Sequence, residues 1–333
     1  MHHITSIKGG NQSKKPIPKT SIEERSLIRQ HSFLIYFHLN INIISIEDMK
    51  AIKTISEHTD EINSLLLLKD KRVASCSRDK TIRIFDPSND YHCDQVINRH
   101  SKSITSICEL DDGTIVSCSK DKSIIIGDYT ITNAHNDYIN KVIPLPNNRI
   151  ASCSYDEAIK IWKSNPPYSD TPIKVLEGHR HWITSLLYTK EKDIMISGSW
   201  DETYRLWNMS TYQCETIIKG IIHCSNTNCL YQIDKDRVIV GEEPRFTIIN
   251  IKKYMIEKTI REPEILRALC FLKLRDTILI GCFCGIFCFY DMNTEQYTIT
   301  KNNHDDNIND LLMLDNNTFL SCSHDNTIKV WKY

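Results

Sequence analysis

The sequence predicts an all-β fold made of seven consecutive four-stranded units, and three observations carry that prediction. The string Ser-Cys-Ser-x-Asp-x-Thr/Ser/Ala occurs at Ser75–Thr81, Ser117–Ser123, Ser152–Ala158 and Ser321–Thr327, and Ser197–Thr203 is a fifth copy with Gly198 in the cysteine slot. A histidine lies 17 or 18 residues before the first serine of each copy. Short isoleucine-rich runs alternate with polar turns around every copy, which is how consecutive strands read. Self-similarity at a fixed period decides the architecture before any single residue does.

The turn aspartates Asp79, Asp121, Asp156 and Asp201 are 42, 35 and 45 residues apart, and Asp325 follows 124 residues after Asp201. That last gap holds two further, worn repeats. One runs through Cys229–Ile233, the turn Asp234–Arg237 and Val238–Val240. The other runs through Leu266–Leu272, the turn Lys273–Asp276 and Thr277–Ile280. Within a repeat, the first strand begins Ile-x-x-apolar, at Ile62–Leu68, Ile104–Leu110, Ile139–Leu145, Ile183–Thr189 and Ile308–Leu314. A polar turn such as Asp111–Thr114 or Asn147–Arg149 follows. The second strand ends in the Ser-Cys-Ser string. A third follows the aspartate turn, as in Ile82–Phe85 or Ile159–Trp162, and a fourth leads to the next histidine, as in Pro172–Leu176. The third strands are apolar on one face and aromatic on the other, so both faces are expected to be buried.

With Gly178-His179, Trp207, Trp162-Lys163, Trp331-Lys332 and Phe85-Asp86 in register, the chain resembles the WD-repeat β-propeller family, whose repeats of about 40–45 residues each form a four-stranded blade. The resemblance covers 51–333 and implies a seven-bladed propeller. Departures are clear: glycine precedes histidine only at Gly178, Gly127 stands in an aromatic slot, and Glu243, Pro244 and Cys284 lie near turn-aspartate slots of the worn repeats. The family pattern implies a hydrogen-bonded tetrad inside each well-formed blade. Here these are His135, Ser152, Asp156 and Trp162; His179, Ser197, Asp201 and Trp207; and His304, Ser321, Asp325 and Trp331. The sets His58, Ser75, Asp79 and His100, Ser117, Asp121 lack the indole.

The last blade has no fourth strand after Trp331–Tyr333, whereas Met49–His58 matches Asp170–His179 in pattern. Ala51–Ile55 is therefore expected to complete the seventh blade and close the ring. Residues 1–32 read as a basic, disordered extension in which Ser21–Glu24 has capping-box form and starts a short helix to Gln30. Residues 33–50 read as an apolar segment that packs on the propeller or leads into it, with a docking element for another subunit as the other reading.

The charge balance, 41 Lys and Arg against 42 Asp and Glu, gives no global attraction to nucleic acid or to a membrane surface. Thirteen cysteines raise the possibility of a disulfide framework, but Cys76, Cys118, Cys153 and Cys322 fill one repeated slot, which Gly198 shows is a slot for something small. With no apolar leader and no run of about 18 apolar residues, an intracellular, reduced protein is expected, cytoplasmic with the nucleus left open.

Five His-Ser-Asp sets at the same spacing argue against a hydrolase triad, which needs one set with an exposed serine. Cys270, Cys282, Cys284 and Cys288 form a cluster whose Cys-x-Cys-x3-Cys spacing is unlike a usual zinc site, so buried core is preferred and no metal is assigned. No phosphate-binding loop is present, and Arg261 and Arg267 are not the paired arginines of phosphoinositide-binding propellers. No catalytic residue and no cofactor are assigned.

What remains is a binding face. The family's usual contacts are the third and fifth residues after the histidine and the residue before the turn aspartate, around the mouth of the central channel. Carried over, they are Glu61, Asn63 and Arg78; Ser103, Thr105 and Lys120; Tyr138, Asn140 and Tyr155; Trp182, Thr184 and Trp200; and Asn307, Asn309 and His324. Aromatics concentrate at Tyr138, Tyr155, Trp182 and Trp200, beside Arg180 and His181, while Arg78 and Lys120 add positive charge on the first two blades. The reading is a non-enzymatic scaffold, a monomeric propeller within a complex, that binds one or more proteins or peptides through an apolar anchor with an acidic flank. The alternatives are a substrate receptor or adaptor of a ubiquitin ligase and, remotely, a hydrolase or metal-dependent enzyme.

Overall fold

A computed structural model describes residues 49–220, 229–242, 245–261, 268–300 and 303–333. The chain divides into two units, 1–40 and 41–333. The predicted 1–32 extension with its short helix, most of the 33–50 segment, Glu243, Pro244 and Arg267 lie outside the described residues, as do the side chains of Arg261 and Cys284.

The described residues form seven four-stranded antiparallel sheets, each a blade of a β-propeller. Blade one is Ile62–Leu67, Val73–Ser77, Ile82–Asp86 and His92–Ile97. Blade two is Ile104–Glu109, Ile115–Ser119, Ile124–Ile126 and Tyr129–Ile131. Blades three and four begin at Ile139–Leu145 and Ile183–Thr189, and the worn blades five and six at Leu230–Gln232 and Ala268–Leu274. In blade six the first strand runs on through Lys273 and Leu274, where the sequence predicts a turn. Leu274 is buried in the sixth-to-seventh core, so pairing with Thr277 gains apolar burial that an earlier turn would forfeit.

Ring closure takes the expected form. Ala51–Ile55 pairs antiparallel with Ile328–Lys332: Ala51 lies opposite Trp331, the register shifts by one residue before Lys53, and Lys53, Thr54 and Ile55 lie opposite Val330, Lys329 and Ile328. Ile55 joins Ile62, Phe85, Leu320 and Val330 in the core between blades seven and one. Chain segments at Ala51–Ile55 and Ile328–Lys332 thus share one sheet, and the last blade has no open edge at its third strand.

The second strand of each regular blade is buried on both faces, because it lies between two neighbouring blades. This explains the cysteine slot more fully than smallness alone. Cys76, Cys118, Cys153 and Cys322 each sit opposite an isoleucine on the third strand, at Ile82, Ile124, Ile159 and Ile328. Gly198, Gly241 and Gly281 instead face Tyr204, Phe246 and Phe287. A Cβ at Gly198 would lie 2.6 Å from Ser185 Oγ and 3.1 Å from the Tyr204 ring. The pair is conserved in volume across the blades, as close packing demands: cysteine with isoleucine, glycine with an aromatic ring.

The first strands of blades one, two, three, four, six and seven all slip register after their first residue. The extra residue of such a bulge leaves the ladder and its side chain is re-aimed. At Asn63, Thr105, Asn140 and Asn309 it is re-aimed at the next blade. Their side chains donate to the carbonyls of Ile104, Ile139, Ile183 and Ile62 at 2.6, 2.6, 2.6 and 2.7 Å. The resemblance implies that these residues contact partners, but here they tie blade to blade. Asn140, Asn309, Thr105 and Thr184 are buried, because the bulge turns them away from the mouth and into the ring.

Candidate functional site

The histidine sets are assembled inside the blades. In blades three, four and seven, Trp162, Trp207 and Trp331 Nε1 donate to the hydroxyls of Ser152, Ser197 and Ser321 at 2.9, 2.9 and 2.8 Å. An indole N–H can only donate, so each serine oxygen accepts there and gives its own proton to histidine Nε2. The Nε2 distances are 2.7, 2.7 and 2.6 Å for His135, His179 and His304. The imidazole proton is thereby held on Nδ1, 2.9, 2.8 and 2.8 Å from Asp156, Asp201 and Asp325. Burial pushes all three histidines below their ordinary value, against the pull of the aspartates, which keeps them neutral.

Blades one and two build the same chain without the indole. His58 lies 2.7 Å from Ser75 and 2.7 Å from Asp79, and His100 lies 2.9 Å from Ser117 and 3.0 Å from Asp121. Burial raises each turn aspartate, but hydrogen bonds outweigh it. Asp201, for example, receives His179, the backbone N–H of Arg180 and Thr203, and the Thr203 hydroxyl, and it is held well below the carboxylate range. Asp156 has Ala158 where the others have threonine or serine, so it lacks the hydroxyl and is lowered less far, to about 2. Ser152, Ser197 and Ser321 are 0% exposed and already committed to indole and imidazole, so none of them is presented as a nucleophile. Cys270, Cys282 and Cys288 are buried, and among the described residues no group of three or more His, Cys, Asp or Glu is gathered as a metal would require.

The channel-mouth residues come together for a local reason. The residue before the turn aspartate donates its backbone N–H to the third residue after the histidine, Tyr155 to Tyr138 at 3.0 Å and Trp200 to Trp182 at 2.9 Å. An aromatic in both slots is therefore an aromatic pair. Tyr138 and Tyr155 have ring centroids 6.0 Å apart, and Trp182 and Trp200 4.9 Å apart. Across the blade boundary, Tyr155 stacks on Trp182 at 4.3 Å with planes 10° apart, and His181 stacks on Trp200 at 5.7 Å. The five rings make one continuous, half-buried aromatic surface, with Arg180 exposed beside it. Lys102, a residue that the positional pattern passes over, places its ammonium 5.6 Å from the Tyr138 ring centroid.

The positive flank is arranged differently from the sequence expectation. Arg78 is paired with Glu61 at 2.7 Å and lies 3.6 Å from Asp60, because the same backbone pairing that joins the tyrosines joins Arg78 to Glu61. Its charge is met within the blade. Lys120 forms no ion pair among the described residues, and burial, then Arg78, pushes its ammonium below the usual range.

The family model for the WD domain, G-beta repeat, matches 49–86, 91–128, 129–163, 170–208 and 295–332, together more than half of the chain. The chain belongs to the WD-repeat family. Each matched stretch takes in the outer strand of the preceding blade and the first three strands of blade one, two, three, four or seven, so the closing strand, outermost in blade seven, falls inside the first of them. Similar WD-repeat proteins include nuclear distribution protein nudF of Aspergillus niger, 36% identical over 61 residues, 18% of this chain and 13% of that protein. WD repeat-containing protein 18 of Homo sapiens is 44% identical over 41 residues, 12% of this chain and 10% of its own length. Small ribosomal subunit protein RACK1 of Caenorhabditis elegans is 36% identical over 39 residues, 12% of each chain. These alignments span little more than one repeat, so the chain covers only about a tenth of the length of the WD-repeat relatives it matches. They support the blade and the general role of WD propellers as interaction scaffolds.

Proposed function

We propose that this WD-repeat propeller is a non-enzymatic scaffold that captures a peptide or loop of another protein at the channel mouth of blades three and four. The observation that carries the reading is the run of five contiguous rings, Tyr138, Tyr155, Trp182, Trp200 and His181, on the turns of blades three and four. Rigid aromatics in adjacent turns are the anchors that interfaces favour, because they bury much area at little entropic cost. Lys102 and Arg180 border that surface and Lys120 lies on blade two, which suits an acidic flank on the partner. Arg78 no longer belongs to the reading, since Glu61 and Asp60 already answer its charge.

The test compares partners retained by the wild type with those retained by a Tyr138, Tyr155, Trp182 and Trp200 quadruple alanine variant of equal folding. Partners lost from the variant support the surface, and salt-sensitive capture supports the acidic flank. Partners that the variant keeps refute it. If those are lost only when residues 1–48 are removed, the adaptor reading takes its place.

A further inference from the structure

The third-strand aromatics of this propeller do a second job besides donating to serine: each fills the gap to the preceding blade. Trp162 packs with Val116, Ile124 and Ile126 of blade two, Trp207 with Ala151 and Ile161 of blade three, and Trp331 with Phe287 of blade six. Phe85 fills the same space against blade seven. At the equivalent place in blade two stands Gly127, and the gap to blade one is an open cleft of about 530 Å3. Its walls are Ile82, Ile84 and Ile97 of blade one and Ile115 and Ile125 of blade two, with polar groups such as Gln95, Asn98, Arg99 and Glu109 around them, and Ser117 lies within it. Ser117 is 3% exposed and bonded to His100, and among the described residues no side chain donates to its oxygen as the indole N–H does in blades three, four and seven. The chain itself cannot easily fill the gap, because residue 127 has φ +55° and a Cβ there would lie 3.2 Å from Thr114 Cγ2.

We propose that this cleft receives the tryptophan side chain of an extended segment of a partner protein, whose indole N–H donates to Ser117 Oγ. Three of the chain's own blades show the fit: the same serine with the same histidine behind it receives an indole at 2.8–2.9 Å, and Ile82 and Ile84 of blade one hold the places that Ile124 and Ile126 hold beside Trp162. The mouth carries both signs of charge, with Arg99 bonded to Gly127 O and paired with Asp128, and Arg72 paired with Asp70 at 2.7 Å. Selection therefore rests on the ring and its N–H rather than on charge. The site is separate from the channel mouth, so this proposal and the previous one stand or fall independently.

The experiment titrates the full chain with N-acetyl-tryptophanamide, its N1-methyl analogue and N-acetyl-phenylalaninamide, followed by ligand-detected NMR, and then with a five-residue peptide carrying one central tryptophan. The tryptophan amide should bind about three- to tenfold more tightly than the N1-methyl analogue, the value of one hydrogen bond. Ser117→Ala should erase that preference while keeping apolar binding, and Gly127→Trp should abolish binding of every probe. The peptide should bind more tightly than the amide, and a peptide that binds no better overturns the protein-segment source. Equal binding of tryptophan and its N1-methyl analogue overturns the proposal. So does a preference that survives Ser117→Ala, which reads the site even if Gly127→Trp folds poorly.

Discussion

Replacing the blade serine by alanine should cost blade three more than blade two. Ser152 Oγ lies 2.7 Å from His135 Nε2 and 2.9 Å from Trp162 Nε1, with no exposure to solvent. Alanine leaves a buried indole donor and a buried imidazole acceptor unmet at once. At about 1–3 kcal/mol for each buried group stranded, Ser152→Ala should lose about 2–6 kcal/mol. Ser117→Ala strands only His100 Nε2, beside an open cleft that admits water, and should lose about 1–2 kcal/mol. Ser75→Ala, with Phe85 in the indole's place, strands one imidazole without a cleft and should fall between them. For a domain of this size the gap between the extremes corresponds to roughly 2–4 °C in Tm per kcal/mol, read by calorimetry on the three variants. The coupling is checked by Ser152→Ala in a Trp162→Phe background, where the loss should shrink to that of Ser75→Ala. Equal losses at Ser152 and Ser117, or no shrinkage in the double variant, would refute the indole-to-serine-to-histidine relay.

Deleting residues 1–57 removes the strand paired with Ile328–Lys332, and should lower the melting temperature and drive aggregation through the bared edge, seen by light scattering. Acid should destabilise the ring in two stages. His135, His179 and His304 are held below their ordinary 6.5, so the unfolded chain takes up protons first and stability declines as pH falls below about 6.5. Asp156, lowered from 3.8 to about 2, adds stability that is complete above about pH 4 and is lost as pH falls toward 2. Ala158→Thr should give Asp156 the hydroxyl donor its counterparts have, and a urea titration should show a gain of about 0.5–1.5 kcal/mol at neutral pH. Gly198→Cys should destabilise blade four by clashing with Ser185 and Tyr204, while Gly198→Cys with Tyr204→Ile should recover most of the loss, since it rebuilds the pairing of the other blades. A double variant no better than the single one would break the volume argument.

Much of the fold was legible because the repeat states its own register. The histidine-to-serine spacing placed five blades, the 124-residue gap between Asp201 and Asp325 placed the two worn ones, and the match of Met49–His58 to Asp170–His179 located the closing strand at Ala51–Ile55. Three things were not legible from pattern alone. The bulge after the first residue of the inner strand shows only in backbone pairing, so Asn63, Thr105, Asn140 and Asn309 read as surface contacts when they bridge blades. Arg78 read as free charge because its partner Glu61 is 17 residues away and meets it only through the turn. The exchange of Cys-Ile for Gly-aromatic was written in the sequence, but it has meaning only once the two positions are known to face each other.

In a repeat protein, what recurs holds the ring, and what departs from the repeat is left to give one chain its own surface. The tetrads, the bulge donors and the volume pairs recur, and each is accounted for by contacts inside or between blades. Two departures are not paid back in this way. At the third-after-histidine and pre-aspartate slots, blades three and four alone among the five regular blades carry aromatics in both, which leaves half-buried ring surface on the turns beyond the one stack, Tyr155 on Trp182, that crosses the blade boundary. At Gly127 the chain gives up a ring that its neighbours use, which opens the gap to blade one and leaves Ser117 short of a donor. One departure adds aromatic surface where a partner can reach it, and the other removes an aromatic where a partner's can replace it. The two proposed binding sites both rest on departures of this kind.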